Sequence, residues 1–155
     1  MIIKKKIKGY WFYGLSGSGK SHLSLILKKK IKKKKTFIID GDEIRKNISF
    51  DLGYSIKERK IQITRVLGIS KICIKNNFFP IISTVYMNKK IQQKASSLGI
   101  IVVKVLRPNI NMKTKIYKLK KNVVGKDLKL PNTKSKILIN DGGKIFWKKL
   151  IKYSH

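Results

Sequence analysis

A chain of 155 residues suffices for one domain that buries about 70% of its unfolded surface, enough for a sheet covered on both faces. Its 38 Lys and Arg against 7 Asp and Glu give a formal charge of +31, which attracts polyanions and suits a nucleotide substrate; spread along the whole chain, it marks no specific nucleic-acid surface. The lone Cys73 excludes disulfides, and neither a signal-peptide core in Met1 to Lys8 nor the roughly 18 apolar residues of a membrane span is present, so a cytoplasmic protein with no membrane contact is expected.

The first element is the aromatic run Tyr10 to Tyr13, which with Gly9 reads as a central parallel strand. It delivers the chain to Gly14-Leu15-Ser16-Gly17-Ser18-Gly19-Lys20-Ser21, a match to G-x-x-x-x-G-K-[ST] in the setting that motif needs, between a strand and a helix. Gly14, Gly17 and Gly19 can take backbone angles closed to other residues, so successive N–H groups form an anion-binding nest at a helix start. Lys20 is expected to reach the β- and γ-phosphates of ATP, and the Ser21 hydroxyl to sit on Mg²⁺. The helix from Lys20 carries Leu23, Ile26, Leu27 and Ile31 towards the core.

Thr36 to Ile39 predicts a second short buried strand, ending at Asp40-Gly41-Asp42. Functional groups of open α/β sheets gather at strand carboxyl ends, so both aspartates are expected to face the phosphate loop from the neighbouring strand. Acidic residues are scarce, yet Asp40, Asp42, Glu43, Asp51 and Glu58 stand close together; for Glu43 and Glu58, function and simple neutralisation of surface Lys stay open. A short helix over Glu43 to Ile48 is followed by a turn and by a longer helix, capped by Ser55 and running to about Asn77, that buries Ile61, Val66, Ile69 and Ile72. Arg45, Arg59 and Arg65 stand out where Lys is the default base, and the guanidinium fork suits phosphate or sulfate.

Phe78 to Val85 and Ile100 to Leu106 read as strands around a helix over Asn88 to Leu98, and Lys136 to Asn140 as the last strand before a closing helix over Gly143 to Tyr153. This alternation gives an α/β fold, a parallel sheet with right-handed crossovers. Pro108 to Pro131, polar and Lys-rich, reads either as a partly helical lid over the nucleotide or as a disordered insertion. His22 and His155 are assigned no catalytic role.

The loop motif, then Asp40-Gly41-Asp42-Glu43-Ile44-Arg45, then Asp51-Leu52-Gly53-Tyr54-Ser55 with Glu58-Arg59, resembles the adenylylsulfate kinase (APS kinase) family in order and spacing. The resemblance implies one P-loop kinase domain over residues 1–155, a three-layer P-loop NTPase fold with a parallel β-sheet flanked by helices and a lid near 108–131. It also implies transfer of the γ-phosphoryl of ATP to the 3′-hydroxyl of adenylyl sulfate, giving PAPS and ADP. Carried over residue by residue, Asp40 with Ser21 would hold the Mg²⁺ shell, and Asp40 with Lys20 would serve catalysis. Asp42, Arg45, Tyr54, Arg59 and Gln62 would bind the acceptor, Tyr54 in place of a stacking phenylalanine and Gln62 in place of an asparagine. Partners would be ATP and a small nucleotide acceptor, with a homodimer left open.

The chain departs from the family at Ser83-Thr84-Val85-Tyr86-Met87, which lacks the usual proline and arginine, and at Asn111 to Tyr117, where Lys113, Lys115 or Lys118 would replace a lid arginine. Ser83-Thr84-Val85 and Asn122-Val123-Val124-Gly125 look more like adenylylsulfate-kinase-like proteins found with surface-polysaccharide genes. Two rival expectations therefore stand beside the first: a kinase of the same fold acting on another alcohol, such as a nucleotide-linked sugar or polyol, and a non-catalytic nucleotide- or RNA-binding P-loop protein.

Overall fold

The computed structural model describes residues 6–108, 121, 124, 128, 129, 133 and 135–141. The chain begins with strand β1 (Gly9–Tyr13), helix α1 (Lys20–Lys30), β2 (Thr36–Asp40), α2 (Gly41–Asn47) and α3 (Ile56–Lys75). It continues through β3 (Phe79–Thr84), α4 (Lys89–Ser97), β4 (Ile100–Leu106) and β5 (Lys136–Ile139). Most of the expected lid and the whole closing helix over 143–153 lie outside the described residues.

All strand pairs are parallel, in the order β2-β3-β1-β4-β5. β1, fully buried, lies at the centre, with Tyr13 opposite Thr84 of β3 and Lys104 of β4. Its side chains alternate between two cores, as the two-residue period of a strand requires. Trp11 and Tyr13 join Ile63, Val66 and Leu67 of α3 and Ile91 and Ala95 of α4 on one face. Tyr10 and Phe12 meet Leu23 and Leu27 of α1 on the other. A sheet fed with apolar side chains on both faces must be covered on both, which yields three layers.

Two expectations need correction. β2 is not the neighbour of β1; β3 intervenes and β2 is the sheet edge, so Phe37 is half exposed and packs edge-on against Phe78 instead of entering a core. In α3 the buried face runs through Arg59, Gln62, Ile63, Val66, Leu67, Ser70 and Cys73, while Ile61 and Ile72 face solvent. Ile is common throughout this chain and marks no face by itself; the helix is rotated so that Arg59 and Gln62 turn inward at its start. The start is fixed by a capping box, in which the Ser55 side chain accepts from the Glu58 amide and the Glu58 carboxylate accepts from the Ser55 amide. Glu58 also accepts from the Gly53 amide at 2.7 Å, so its role is structural.

The two isoleucines test this helix phase. Ile63→Ala should cost about 2–5 kcal/mol in denaturant unfolding because it leaves a cavity against the sheet, whereas Ile61→Ala should cost less than about 1 kcal/mol. Equal losses would contradict the orientation of α3.

Candidate active site

The glycine-rich loop and Asp40 sit at the carboxyl ends of β1 and β2. β1 ends in the glycine-rich loop, whose conformation the sequence makes compulsory: Gly14, Gly17 and Gly19 have φ of 153°, 78° and 92°. A Cβ on Gly14 would collide with the Val105 carbonyl of β4, so the loop begins pressed against the sheet. Lys20 opens α1 and folds back over the loop, its Nζ donating to the Leu15 carbonyl at 2.7 Å and to Ser18 Oγ at 3.4 Å. Burial depresses this ammonium from 10.5 to about 8, against the opposing pull of Asp42 and then Asp40.

Asp40, the last residue of β2, stands at the centre of the constellation. Its Oδ2 accepts from Ser21 Oγ at 2.8 Å and from Ser83 Oγ at 2.7 Å, and its Oδ1 accepts from the Asp42 amide at 2.9 Å, capping α2. Burial alone would raise its pKa, but these hydrogen bonds, with the Glu43 amide, outweigh burial and hold the carboxyl below the usual range. The adjoining Ser21 hydroxyl and Asp40 carboxylate are hard oxygen donors of the kind Mg²⁺ takes alongside phosphates.

A cleft of about 1040 Å³ runs from the loop to the start of α3. Lys20, Ser21, Asp40 and Asp42 line it together with Arg45, Tyr54, Arg59 and Gln62. Arg45 Nη1 donates to the Gly53 carbonyl at 2.6 Å, and Arg59 Nε to the Tyr54 carbonyl at 2.9 Å. Both guanidiniums lie over the Tyr54 ring, 4.4 and 5.4 Å from its centroid. Burial first, and then the adjacent Arg45, lower the pKa of Arg59, the signature of two cations held close. The Gln62 amide nitrogen donates to the Gly41 carbonyl at 3.1 Å. Among the described residues its Oε1 and the Ser49 hydroxyl are buried in the cleft wall with no hydrogen-bond partner.

The predicted site residues Gly14 to Ser21, Asp40, Asp42, Arg45, Tyr54, Arg59 and Gln62 thus come together around one loop and one cleft. Arg65 does not join them: its two terminal nitrogens grip Asp51 at 2.5 and 2.7 Å, which ties the turn before α3 to that helix. Sequence reasoning also missed several groups. Ser83 braces Asp40; Ser49 and Lys121 line the cleft. Arg107 Nη1 donates to the Gly17 carbonyl at 3.2 Å, and Asn140 Nδ2 to the Ser18 carbonyl at 2.9 Å. A signal existed for Arg107, the fourth arginine of a Lys-rich chain, placed directly after a strand. No local signal marks Asn140, which is distant in sequence from the loop it touches.

The sheet order and the β1–α1 loop define a P-loop NTPase fold, with the site at the strand ends where such sheets bind ligands. The model of the adenylylsulphate kinase family matches residues 8–122, and the chain belongs to that family. The adenylyl-sulfate kinase of Thermodesulfovibrio yellowstonii is 37% identical over 90 residues, 57% of this chain and 45% of that protein. One from Bacteroides fragilis is 33% identical over 99 residues, 63% of this chain and 49% of that protein. The matches therefore span about half the length of these relatives. The structure of the Mycobacterium tuberculosis APS kinase in complex with AMPPNP and APS superposes with a TM-score of 0.80, at 20% identity, over 95% of this chain and 96% of that one, a likeness of fold. No helix among the described residues is long and apolar enough to cross a membrane.

The depressed Lys20 ammonium generates a prediction about stability. Between about pH 8 and 10.5 the unfolded chain holds a proton on Lys20 that the folded chain has released, so this group's contribution to stability rises with pH across that window. The difference in unfolding free energy between Lys20→Met and the parent should therefore shift towards the parent from pH 8 to 10.5. A pH-independent difference would contradict the burial of the charge.

Proposed function

We propose that this chain is an ATP-dependent kinase that transfers the γ-phosphoryl of ATP to the 3′-hydroxyl of adenylyl sulfate, giving PAPS and ADP. The observation that carries the reading is one cleft lined both by the phosphate loop with Asp40 and by a pair of clustered arginines, Arg45 and Arg59. A triphosphate needs the first group, and the phosphosulfate of the acceptor suits the second, where two close guanidiniums gain most from an intervening anion. Residues 1–155 would act as one kinase domain in the cytoplasm, with the region 108–131 as its lid and one or two copies as the working unit.

In this reading the loop amides and Lys20 hold the β- and γ-phosphates. Ser21 and Asp40 would hold Mg²⁺, which when bound neutralises charge on the phosphates. Asp40, kept ionised by Ser83 and Ser21, orients the acceptor hydroxyl and takes up its proton as the phosphorus–oxygen bond forms in line. Transfer asks for positioning and electrostatic stabilisation more than covalent chemistry, and a cleft that brings together residues of α1, β2, α2 and α3 supplies positioning.

A second reading, a kinase for another alcohol such as a nucleotide-linked sugar, is favoured by particular features of the acceptor end. The Tyr54 ring meant for stacking already carries guanidiniums, and Ser49 and Gln62 offer polar atoms without partners among the described residues. Both atoms would welcome hydroxyl or amine donors.

An ADP-release assay with adenylyl sulfate and a panel of nucleotide-linked alcohols separates the readings. Adenylyl sulfate should give the highest kcat/KM; turnover only with another alcohol would transfer the assignment to the second reading, and none with any acceptor would end both. Asp40→Asn should lower kcat by about a hundredfold or more while MgADP still binds. Because a neutral Lys20 attracts phosphate less, affinity for MgADP should fall as pH rises above about 8 in the parent protein. Flat affinity from pH 7 to 10 would remove Lys20 from the phosphate site.

A further inference from the structure

We infer that Asn140, at the end of β5, is a positioning residue that sets the orientation of the phosphate loop from behind. The inference rests on the nucleotide-binding reading of the loop. Asn140 is not among the residues that line the cleft, and it reaches Ser18 of the loop from 122 residues away in sequence. Its Nδ2 donates to the Ser18 carbonyl at 2.9 Å.

The consequence follows from peptide geometry. Ser18 C=O and Gly19 N–H belong to one planar trans peptide, in which the two groups point in opposite directions. Holding the carbonyl towards Asn140 therefore turns the Gly19 N–H the other way, towards the face on which an anion would lie. Gly19 at φ 92° permits this orientation, and a Cβ there would collide with Asn140 Nδ2 itself. The Asn140 side chain thus occupies the space that the absent side chain of Gly19 leaves.

Asn140 is itself well anchored. Its backbone amide donates to the Leu106 carbonyl at 2.6 Å, one residue beyond the Leu106–Ile139 register of β4 and β5. The loop between β1 and α1 is in this way indexed to the far edge of the sheet. The neighbouring contact from Arg107 to the Gly17 carbonyl cannot substitute, because the next amide, Ser18 N–H, is already committed to the Leu15 carbonyl at 3.2 Å. Of these two carbonyls, only that of Ser18 backs an amide that makes no hydrogen bond among the described residues.

The test is binding of MgADP to the full chain carrying Asn140→Ala or the isosteric Asn140→Asp, by calorimetry, beside acceptor KM at saturating MgATP. Both variants should raise the Kd for MgADP about tenfold or more, with Asn140→Asp the worse because a carboxylate cannot donate and faces the Ser18 carbonyl. Acceptor KM should stay within about twofold. A lowered Tm with unchanged Kd would make the residue merely structural and overturn the inference. Should the variants not fold, the Gly19 amide resonance of the ¹⁵N-labelled parent decides: a large shift on saturation with MgADP supports the inference, and no shift overturns it. Parent protein that binds no MgADP would sink the phosphate-loop reading and this inference together; binding that both substitutions leave unaltered would sink this inference alone.

Discussion

The Asp40 carboxylate is the joint on which the site depends. One oxygen accepts hydrogen bonds from α1 and β3, and the other from the first turn of α2. Without those donors, burial would favour the protonated carboxyl; with them, the carboxylate is the acceptor that three segments share. The lowered pKa is the measure of how fully hydrogen bonding has offset desolvation there. In a chain with 7 acidic residues against 38 basic ones, a carboxylate so completely engaged is a local organiser of structure.

That joint works only because the sheet order puts β3 between β1 and β2. Asp40 spans from the edge strand to the first turn of α1, and Ser83, at the end of the intervening strand, supports it in crossing. β1 contributes no reactive group itself; its buried aromatic side chains hold the loop's starting point rigid between two cores. Loop amides, carboxylate and arginines thus belong to different segments whose relative positions are set by packing over the whole sheet.

Membership of the adenylylsulphate kinase family and the arrangement around Arg45 and Arg59 pull in slightly different directions. Arg45 and Arg59 stand together as an anion-binding pair would, but the proline and arginine of the family's phrase after β3 are replaced here by Thr84 and Tyr86. Thr84 accepts from the Trp11 indole at 2.8 Å and donates to the Tyr86 carbonyl at 3.1 Å, and Tyr86 is buried beside the cleft. The substitution has been absorbed into the core as a hydrogen-bonded turn.

Sequence alone determined what is local. The glycine spacing, the strand before it and the helix after it fixed the phosphate loop, because backbone angles open only to glycine leave little choice; Ser55 and Glu58 announced the start of α3 in the same local way, and most strands fell within a residue or two of their expected bounds. What only the tertiary structure decided is non-local. That β2 is an edge, that α3 turns Arg59 inward and Ile61 outward, that Arg65 is spent on Asp51, and that Asn140 stands behind Ser18 all depend on strand order and helix rotation. Those are set by the summed packing of side chains far apart in the chain, and in a sequence where Ile and Lys recur everywhere, periodicity carries too little contrast to reveal them.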